Sequence, residues 1–166
     1  MTDTHDDSFH CEVCGETHAG LQKDLAFQMP DDAWELDYLD RYKRVRHNRD
    51  FCTLDDQRYF IRCLLEVPLQ YNDDTFGWGL WVEVSQADHD LHVGKWDGGA
   101  DKTPPFAGRI ANNIKGYVTL IGEPVEVKLY DEHRPLLTFP ESSQHPLAVE
   151  QREGISLKRH HELVDR

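Results

Sequence analysis

Two stretches of alternating apolar residues, at 58–67 and 76–85, constrain the fold more than any other feature of the sequence. Their apolar members are Tyr59, Ile61, Cys63, Leu65 and Val67 in the first stretch and Phe76, Trp78, Leu80, Val82 and Val84 in the second. Alternation with a period of two is typical of a strand that buries one face. We therefore predict strands at 58–67 and 76–85, preceded by a short strand at 51–55.

A helix is predicted for residues 31–48, because Trp34, Tyr38, Tyr42 and Val45 recur at intervals of three or four. Its acidic side chains occupy the first half and the basic run Arg41–Arg49 occupies the second. The helix dipole favours this distribution, since it places anions at the N-terminus and cations at the C-terminus. A patch that recognises phosphate or nucleic acid is the alternative interpretation of the basic run.

The remaining pattern mixes strands and helices. A short helix is predicted at 86–96, and Val125–Leu129 alternates like a half-solvated strand whose hairpin partner is Leu136–Phe139. Further helices are expected after His145 and after Ser156, which can cap a helix N-terminus.

Four cysteines are present, and two of them have the spacing of metal ligands. Cys11 and Cys14 are separated by two residues, so that a tight turn can direct both thiolates at one ion. Gly15 can take a positive φ that lets the chain turn around the second sulfur. With His18 as a third donor, the set suits tetrahedral Zn²⁺. A reduced pair or a redox pair is the alternative.

Cys52 is our choice for the fourth zinc ligand. It lies where the basic end of the predicted helix meets a short strand, so its side chain could face a neighbouring loop. Cys63 falls in a wholly apolar row, which is typical of a buried core residue. His10 is a poorer candidate because adjacent residues rarely reach one tetrahedral ion together. For Cys52 too, a role as a core thiol stays open.

These elements together predict one α+β domain over residues 1–166. In this fold class, an N-terminal zinc knuckle at 1–30 is attached to a mostly antiparallel sheet with flanking helices at 31–166.

Charge and composition narrow the possible partners. The formal net charge is −13, which argues against binding of nucleic acid or anionic membrane through the whole surface and suits a basic protein partner. The hydrophobic fraction of 39% is too high for a disordered chain. Since neither a secretory signal nor an apolar run of membrane-spanning length is recognisable, we expect a cytoplasmic protein.

Two other groups of residues could carry function. Trp81 lies beside Gly77 and Gly79, which could form a ligand-stacking platform or let another element approach closely; we favour packing. His89 and His92 are three residues apart on the predicted helix and could bind a second metal. Because no third ligand has suitable spacing, we expect them to be solvent-exposed polar residues.

Several short motifs are distributed along the chain. They include Cys11-x-x-Cys14-Gly15, Asp50-x-Cys52, Phe60-Ile61-Arg62, Leu65-Glu66-Val67-Pro68, Trp78-Gly79-x-Trp81 and His145-Pro146-Leu147-Ala148. Together they resemble the bacterial family called domain of unknown function 2199, from about His10 to Ile155. The resemblance implies a single bacterial domain with Cys11, Cys14, His18 and Cys52 at the family's positions, and it implies no chemistry.

We therefore expect a non-enzymatic binding or interaction module with a structural zinc. The alternative is a zinc enzyme in which Cys11, Cys14 and His18 hold the metal and water fills the fourth position. A third possibility is a nucleic-acid binder that uses Arg41–Arg49 and Trp81. It requires both groups on one surface.

Overall fold

The computed structural model describes the backbone of residues 9–10 and 17–18 and describes residues 21–165 in full. The strands are β1 (Phe9–His10), β2 (Thr17–His18), β3 (Asp24–Ala26), β4 (Val45–His47), β5 (Phe51–Leu54), β6 (Arg58–Pro68), β7 (Thr75–Val84), β8 (Phe106–Ile110), β9 (Pro124–Lys128) and β10 (Leu136–Thr138). The α-helices are α1 (Asp31–Trp34), α2 (Tyr38–Arg44), α3 (Gln86–Gly94), α4 (Pro146–Glu153) and α5 (Leu157–Val164), with a 3₁₀ turn at Ala100–Lys102.

The two long strands β6 and β7 form an antiparallel ribbon at the centre of the fold. Their register runs from Tyr59 opposite Val84 to Pro68 opposite Thr75. Both strands were predicted from their alternation, and a short strand at 51–55 was predicted before them. All three strands are confirmed, the short one as β5. The predicted hairpin of β9 and β10 is also confirmed, with Leu137 opposite Val127.

A closed barrel of five strands is built on this ribbon. Antiparallel pairs join β7 to β8, β8 to β9 and β9 to β10. The barrel closes because β10 returns beside β6 in a parallel pair, with Leu136 opposite Leu64. Three strands extend the sheet beyond the barrel: β5 and then β4 lie next to β6, and β3 lies parallel to β7.

The apolar faces predicted for β6 and β7 fill the barrel. Ile61, Cys63, Leu65 and Leu80 have no exposed surface. Helix α4 covers this core with Leu147 and Ala148, and α5 adds Leu163. Removal of so much apolar surface from water is the main stabilising contribution to folding.

A second core lies on the opposite face of the ribbon. Phe60 and Trp81 pack there against the helix and strands at residues 29–54. The other buried residues of this core are Met29, Ala33, Val45, Cys52, Leu54 and Ala111. Both faces of β7 are therefore buried over most of its length, whereas β6 is exposed at Glu66 and Pro68 and only partly buried at Arg62 and Leu64.

The helix predicted over 31–48 is wrong in its extent. The chain forms the short helix α1, then α2, and becomes extended at Val45. Asp37 begins α2, because its Oδ1 accepts a hydrogen bond of 2.9 Å from the amide of Asp40. The segment after Arg44 pairs with β5 instead of continuing the helix, with Val45 opposite Leu54. Tertiary pairing here overrides helical periodicity.

The predicted fold class also needs correction. The described sheet is not a mostly antiparallel sheet with flanking helices but a closed five-strand barrel extended by three strands. Two of its pairings are parallel, β10 with β6 inside the barrel and β3 with β7 outside it. Alternation does not distinguish an open sheet from a barrel, because open and closed sheets bury one face in the same way. No zinc knuckle is shown in the described part of the chain, where β1 and β2 form a separate two-stranded hairpin.

The C-terminal helices begin where the sequence predicts. His145 caps α4 through Nδ1, which accepts from the amide of Leu147, and Ser156 caps α5 by accepting from the amide of Arg159. Gly154, between the two helices, has a φ of 83° that favours glycine. Of the helices in the described residues, none combines the length and apolar character that crossing a membrane requires.

Gly108 of β8 provides a test of barrel closure. A Cβ at this position would lie 2.4 Å from Cγ1 of Val82 and 3.2 Å from Cγ2 of Val127. We expect Gly108→Ala to lower the free energy of unfolding by roughly 1–3 kcal/mol, because the added methyl overpacks the junction of β7, β8 and β9. Urea unfolding monitored by tryptophan fluorescence measures this change.

Gly94→Ala is the matched control. A Cβ at Gly94 would meet no atom within 4 Å, so we expect a change within about 0.5 kcal/mol. Equal destabilisation by both substitutions would contradict the tight packing assigned to Gly108.

Candidate functional site

The predicted zinc ligands of the N-terminal segment lie mostly outside the described residues. Cys11 and Cys14 belong to residues 11–16, which the structure does not describe. This segment connects β1 to β2, which pair with Phe9 opposite His18 and His10 opposite Thr17. His18 is therefore at the end of β2, and the two cysteines are in the connection of this hairpin.

Cys52 has the surroundings of a core residue. It is fully buried in β5, between His47 of β4 and Phe60 of β6, and belongs to the second apolar core. Burial raises the pKa of its thiol to about 12, which disfavours the thiolate that zinc requires. The described residues contain no group of three or more histidine, cysteine or acidic residues that could hold a metal.

Cys63 is confirmed as a barrel core residue. It has no exposed surface and faces the apolar interior, where burial raises the pKa of its thiol.

Trp81 is a packing residue. It is fully buried, and its indole Nε1 donates a hydrogen bond of 3.0 Å to the backbone oxygen of Phe27. The neighbouring Gly79 lets β3 approach, since a Cβ there would lie 2.7 Å from Cβ of Ala26. The packing interpretation is thus confirmed, and Trp81 offers no free ring to a base.

His89 and His92 are buried, so the expectation that they are solvent-exposed is wrong. They form the inner face of α3 and are 9% and 5% exposed. Phe51 of β5 lies against both, with ring centroids 5.4 Å from His89 and 4.9 Å from His92. Their helical spacing predicted that these residues share one face, but the sequence carries no signal for the aromatic residue that covers it.

His92 lines a cleft between α3 and the segment that leads into β10. The cleft has a volume of about 400 Å³, and its other polar and aromatic lining residues are Asp50, Lys95, Trp96, Tyr130, Asp131, Glu132, His133 and Arg134. Neither ring nitrogen of His92 has a hydrogen-bond partner among the described residues. A neutral imidazole there presents one donor and one acceptor to a polar group that enters the cleft.

Part of the basic run Arg41–Arg49 has structural partners. Arg41 donates to the backbone oxygens of Trp34 and Leu36 at 2.5 and 3.1 Å and lies 4.9 Å from the centroid of the Trp34 ring. Arg44 forms a two-pronged ion pair with Asp55 at 2.8 and 3.0 Å. These contacts, together with the cations in the last turn of α2, fit the interpretation by helix dipole.

The aromatic residues of α1 and α2 lie on the surface. Trp34, Tyr38, Leu39 and Tyr42 are 52%, 79%, 63% and 79% exposed, and none of the α2 residues is buried. The residues whose periodicity predicted the helix therefore include an exposed aromatic face, formed by Trp34, Tyr38 and Tyr42.

A groove runs between this aromatic face and the edge strand β4. Its volume is about 470 Å³, and we call it the α2 groove; its lining residues are Tyr38, Arg41, Tyr42, Val45, Arg46 and His47. The lining contains no carboxylate. Arg46 has no ion pair within residues 21–165. The groove therefore offers two phenol rings and two cations to a partner.

The pKa of His92 gives a testable pH dependence. Burial lowers the pKa of this imidazole, an effect that nearby Asp50 opposes. Below about pH 6.5, His92 therefore takes up a proton in the unfolded chain but stays neutral in the folded protein. We expect the free energy of unfolding to be constant above this pH and to fall as the pH drops toward the lowered pKa of folded His92. Urea titrations between pH 7.5 and 5 measure the decline.

The substitution His92→Phe is expected to make this decline shallower, because phenylalanine packs between Phe51 and Trp96 and does not titrate. A residual decline is expected from His160, whose pKa burial also lowers. His133→Gln, which changes an exposed histidine, is the control and should keep the wild-type decline. An unchanged slope in His92→Phe would contradict the assignment.

The sequence profile of the family described as "Uncharacterized protein conserved in bacteria (DUF2199)" matches residues 10–155. The family resemblance of the motifs is confirmed by this match. No curated protein and no solved structure matches the chain.

Proposed function

The chain belongs to the bacterial DUF2199 family, and we propose that it is a binding module that recognises an acidic segment of a partner protein in the α2 groove. The zinc predicted at the N-terminal hairpin has a structural role in this proposal.

The exposed aromatic face of α1 and α2 carries the proposal. Helix α2 has no buried residue, and Tyr38 and Tyr42 are each 79% exposed. These aromatic side chains therefore contribute little to packing within the described part of the chain. Tyrosine, tryptophan and arginine are the residues that most often contribute the largest share of the binding energy at protein interfaces, and an exposed cluster of them indicates such an interface. A partner that covers this face would remove the apolar surface from water.

The charge of the groove selects the chemistry of the partner. Arg41 and Arg46 line it without a carboxylate, and the carbonyl partners of Arg41 leave its positive charge uncompensated. Glutamate or aspartate side chains would form charge-assisted hydrogen bonds with these guanidinium groups. A basic protein partner, expected from the net charge of −13, stays a prediction and would bind elsewhere, on the acidic part of the surface.

Zinc binding is supported by the pairing of β1 with β2. Both cysteines belong to the connection of one hairpin, and His18 follows in β2. A hairpin brings the two ends of its connection together, which is the arrangement that a CxxC pair and a following donor need. Cys52 would have to leave its apolar core to join them, so the proposal uses three ligands and keeps the fourth open.

Because the fourth zinc ligand is unassigned, the alternative that the protein is a zinc enzyme stays open. Three protein ligands and one water are the usual arrangement of catalytic zinc, in which the metal acts as a Lewis acid. The number and kind of ligands therefore decide between a structural and a catalytic metal.

The α2 groove can be tested with a fluorescein-labelled peptide of twelve residues rich in glutamate and leucine. We expect fluorescence anisotropy to detect binding that weakens as salt rises, because the attraction is partly between charges. Tyr38→Ala with Tyr42→Ala should weaken binding at least tenfold, and Arg46→Gln several-fold. All these side chains are exposed, so folding should be unaffected.

Lys158→Gln is the matched control, since it removes an exposed cation from α5. Equal loss in this variant would mean that the peptide senses only net charge. Tighter binding of a labelled twelve-nucleotide oligothymidine than of the peptide would replace the acidic protein partner with nucleic acid.

Zinc binding predicts about one metal ion per chain in freshly purified protein. Cys11→Ser and Cys14→Ser should lose the metal, as measured by inductively coupled plasma mass spectrometry, and X-ray absorption should report the ligands. Cys52→Ala should keep the metal if Cys52 is a core thiol. Metal-free protein with a disulfide between Cys11 and Cys14 would contradict the proposal.

A further inference from the structure

Three arginines lie near one another beside the barrel. We call Arg49, Arg62 and Arg134 the arginine cluster. Arg134 Nε pairs with Asp50 Oδ1 at 3.1 Å. The amide of Arg62 donates to the backbone oxygen of Asp50 at 3.0 Å, and Arg62 Nη1 reaches the backbone oxygen of Arg49 at 3.4 Å. The β4–β5 turn, strand β6 and the segment before β10 thus bring these cations together.

The positive charge of the cluster exceeds the negative charge beside it. Burial lowers the pKa of the Arg62 guanidinium, and the cations Arg134 and Arg49 lower it further. Asp50 is the carboxylate that opposes this effect, and it already pairs with Arg134. The Arg62 guanidinium therefore lies near two other arginines and near one carboxylate that is already paired, on a protein whose net charge is −13.

Arg62 has an unused donor in this environment. Its Nε is buried and has no hydrogen-bond partner among the described residues. A buried charged donor without a partner lowers stability, since it has lost its hydration and gained no bond in return. A ligand reaches this atom when the Arg62 side chain shifts, because Nε itself has almost no surface accessible to solvent, and an acceptor placed there would remove the penalty.

A cavity of about 430 Å³ lies beside the cluster. Arg62, Arg134 and His133 line it together with apolar surface from Leu64 and the backbone of Gly79, while Asp24 lies at its wall. Arg134 and His133 also line the cleft under α3.

We propose that this cavity binds an oxyanion, a phosphate or carboxylate group of a small molecule, between the guanidinium groups of Arg62 and Arg134. Arginine suits this role because its planar fork donates two parallel hydrogen bonds to either anion. The site is separate from the α2 groove and does not depend on the function proposed for that groove.

Nuclear magnetic resonance of the arginine side chains tests the proposal on the full-length protein. Sodium phosphate and sodium succinate are titrated separately at constant ionic strength set with sodium chloride. We expect the Nε–H signals of Arg62 and Arg134 to shift with a saturable curve for at least one of the two anions. Saturation by phosphate alone identifies a phosphate site, and saturation by succinate alone identifies a carboxylate site.

Arg134→Gln should weaken this binding at least tenfold, and it should fold because the Arg134 side chain is 43% exposed. Arg62→Lys keeps the charge but removes the fork, so it should also weaken binding. Arg152→Gln, which changes an exposed arginine on α4, is the control and should bind like the wild type. Linear shifts without saturation for both anions, or wild-type affinity in Arg134→Gln, would overturn the proposal.

Discussion

The antiparallel pairing of β6 with β7 is the interaction on which the rest of the structure depends. It runs over ten residue pairs from Tyr59 with Val84 to Pro68 with Thr75, and it divides the apolar residues between two cores. The face with Ile61 and Leu80 fills the barrel, whereas the face with Phe60 and Trp81 supports α1, β4 and β5. The α2 groove and the arginine cluster both lie on elements of the sheet that this ribbon organises, whereas β1 and β2 form a separate sheet.

The sequence was sufficient to predict strands and hairpins, because their signal is local. The apolar alternation in β6, β7 and β9 identified each strand and its buried face. Barrel closure was not predictable in this way, since it rests on the parallel pairing of Leu136 with Leu64, which are far apart in the chain. The end of α2 was missed for a related reason. Asn48 forms a turn by accepting from the amides of Asp50 and Phe51, and this turn draws residues 45–47 into a strand.

Candidate site residues were harder to predict than secondary structure because burial depends on distant partners. The helical spacing of Tyr38 and Tyr42 predicted a helix but carried no signal that these side chains are exposed, and His89 and His92, which were expected to be exposed, are buried. Phe51 covers the histidines, and no element covers the tyrosines within the described residues. Arg62 and Arg134 carried no sequence signal at all, since their proximity follows from the closure of the barrel.

The net charge of −13 does not describe the potential at each part of the surface, because the cations of this protein are not evenly distributed. Arg46, Arg49 and Arg62 lie on or between the neighbouring strands β4, β5 and β6, and Arg134 joins them from the segment before β10. At physiological ionic strength the Debye length is about 8 Å, so carboxylates farther away contribute little to the potential at these sites. An anionic ligand close to the surface therefore experiences the local excess of guanidinium groups, although the whole molecule carries −13. Repulsion by the distant acidic surface would act mainly on the rate of approach, and contacts with the arginines would determine how long the ligand stays bound.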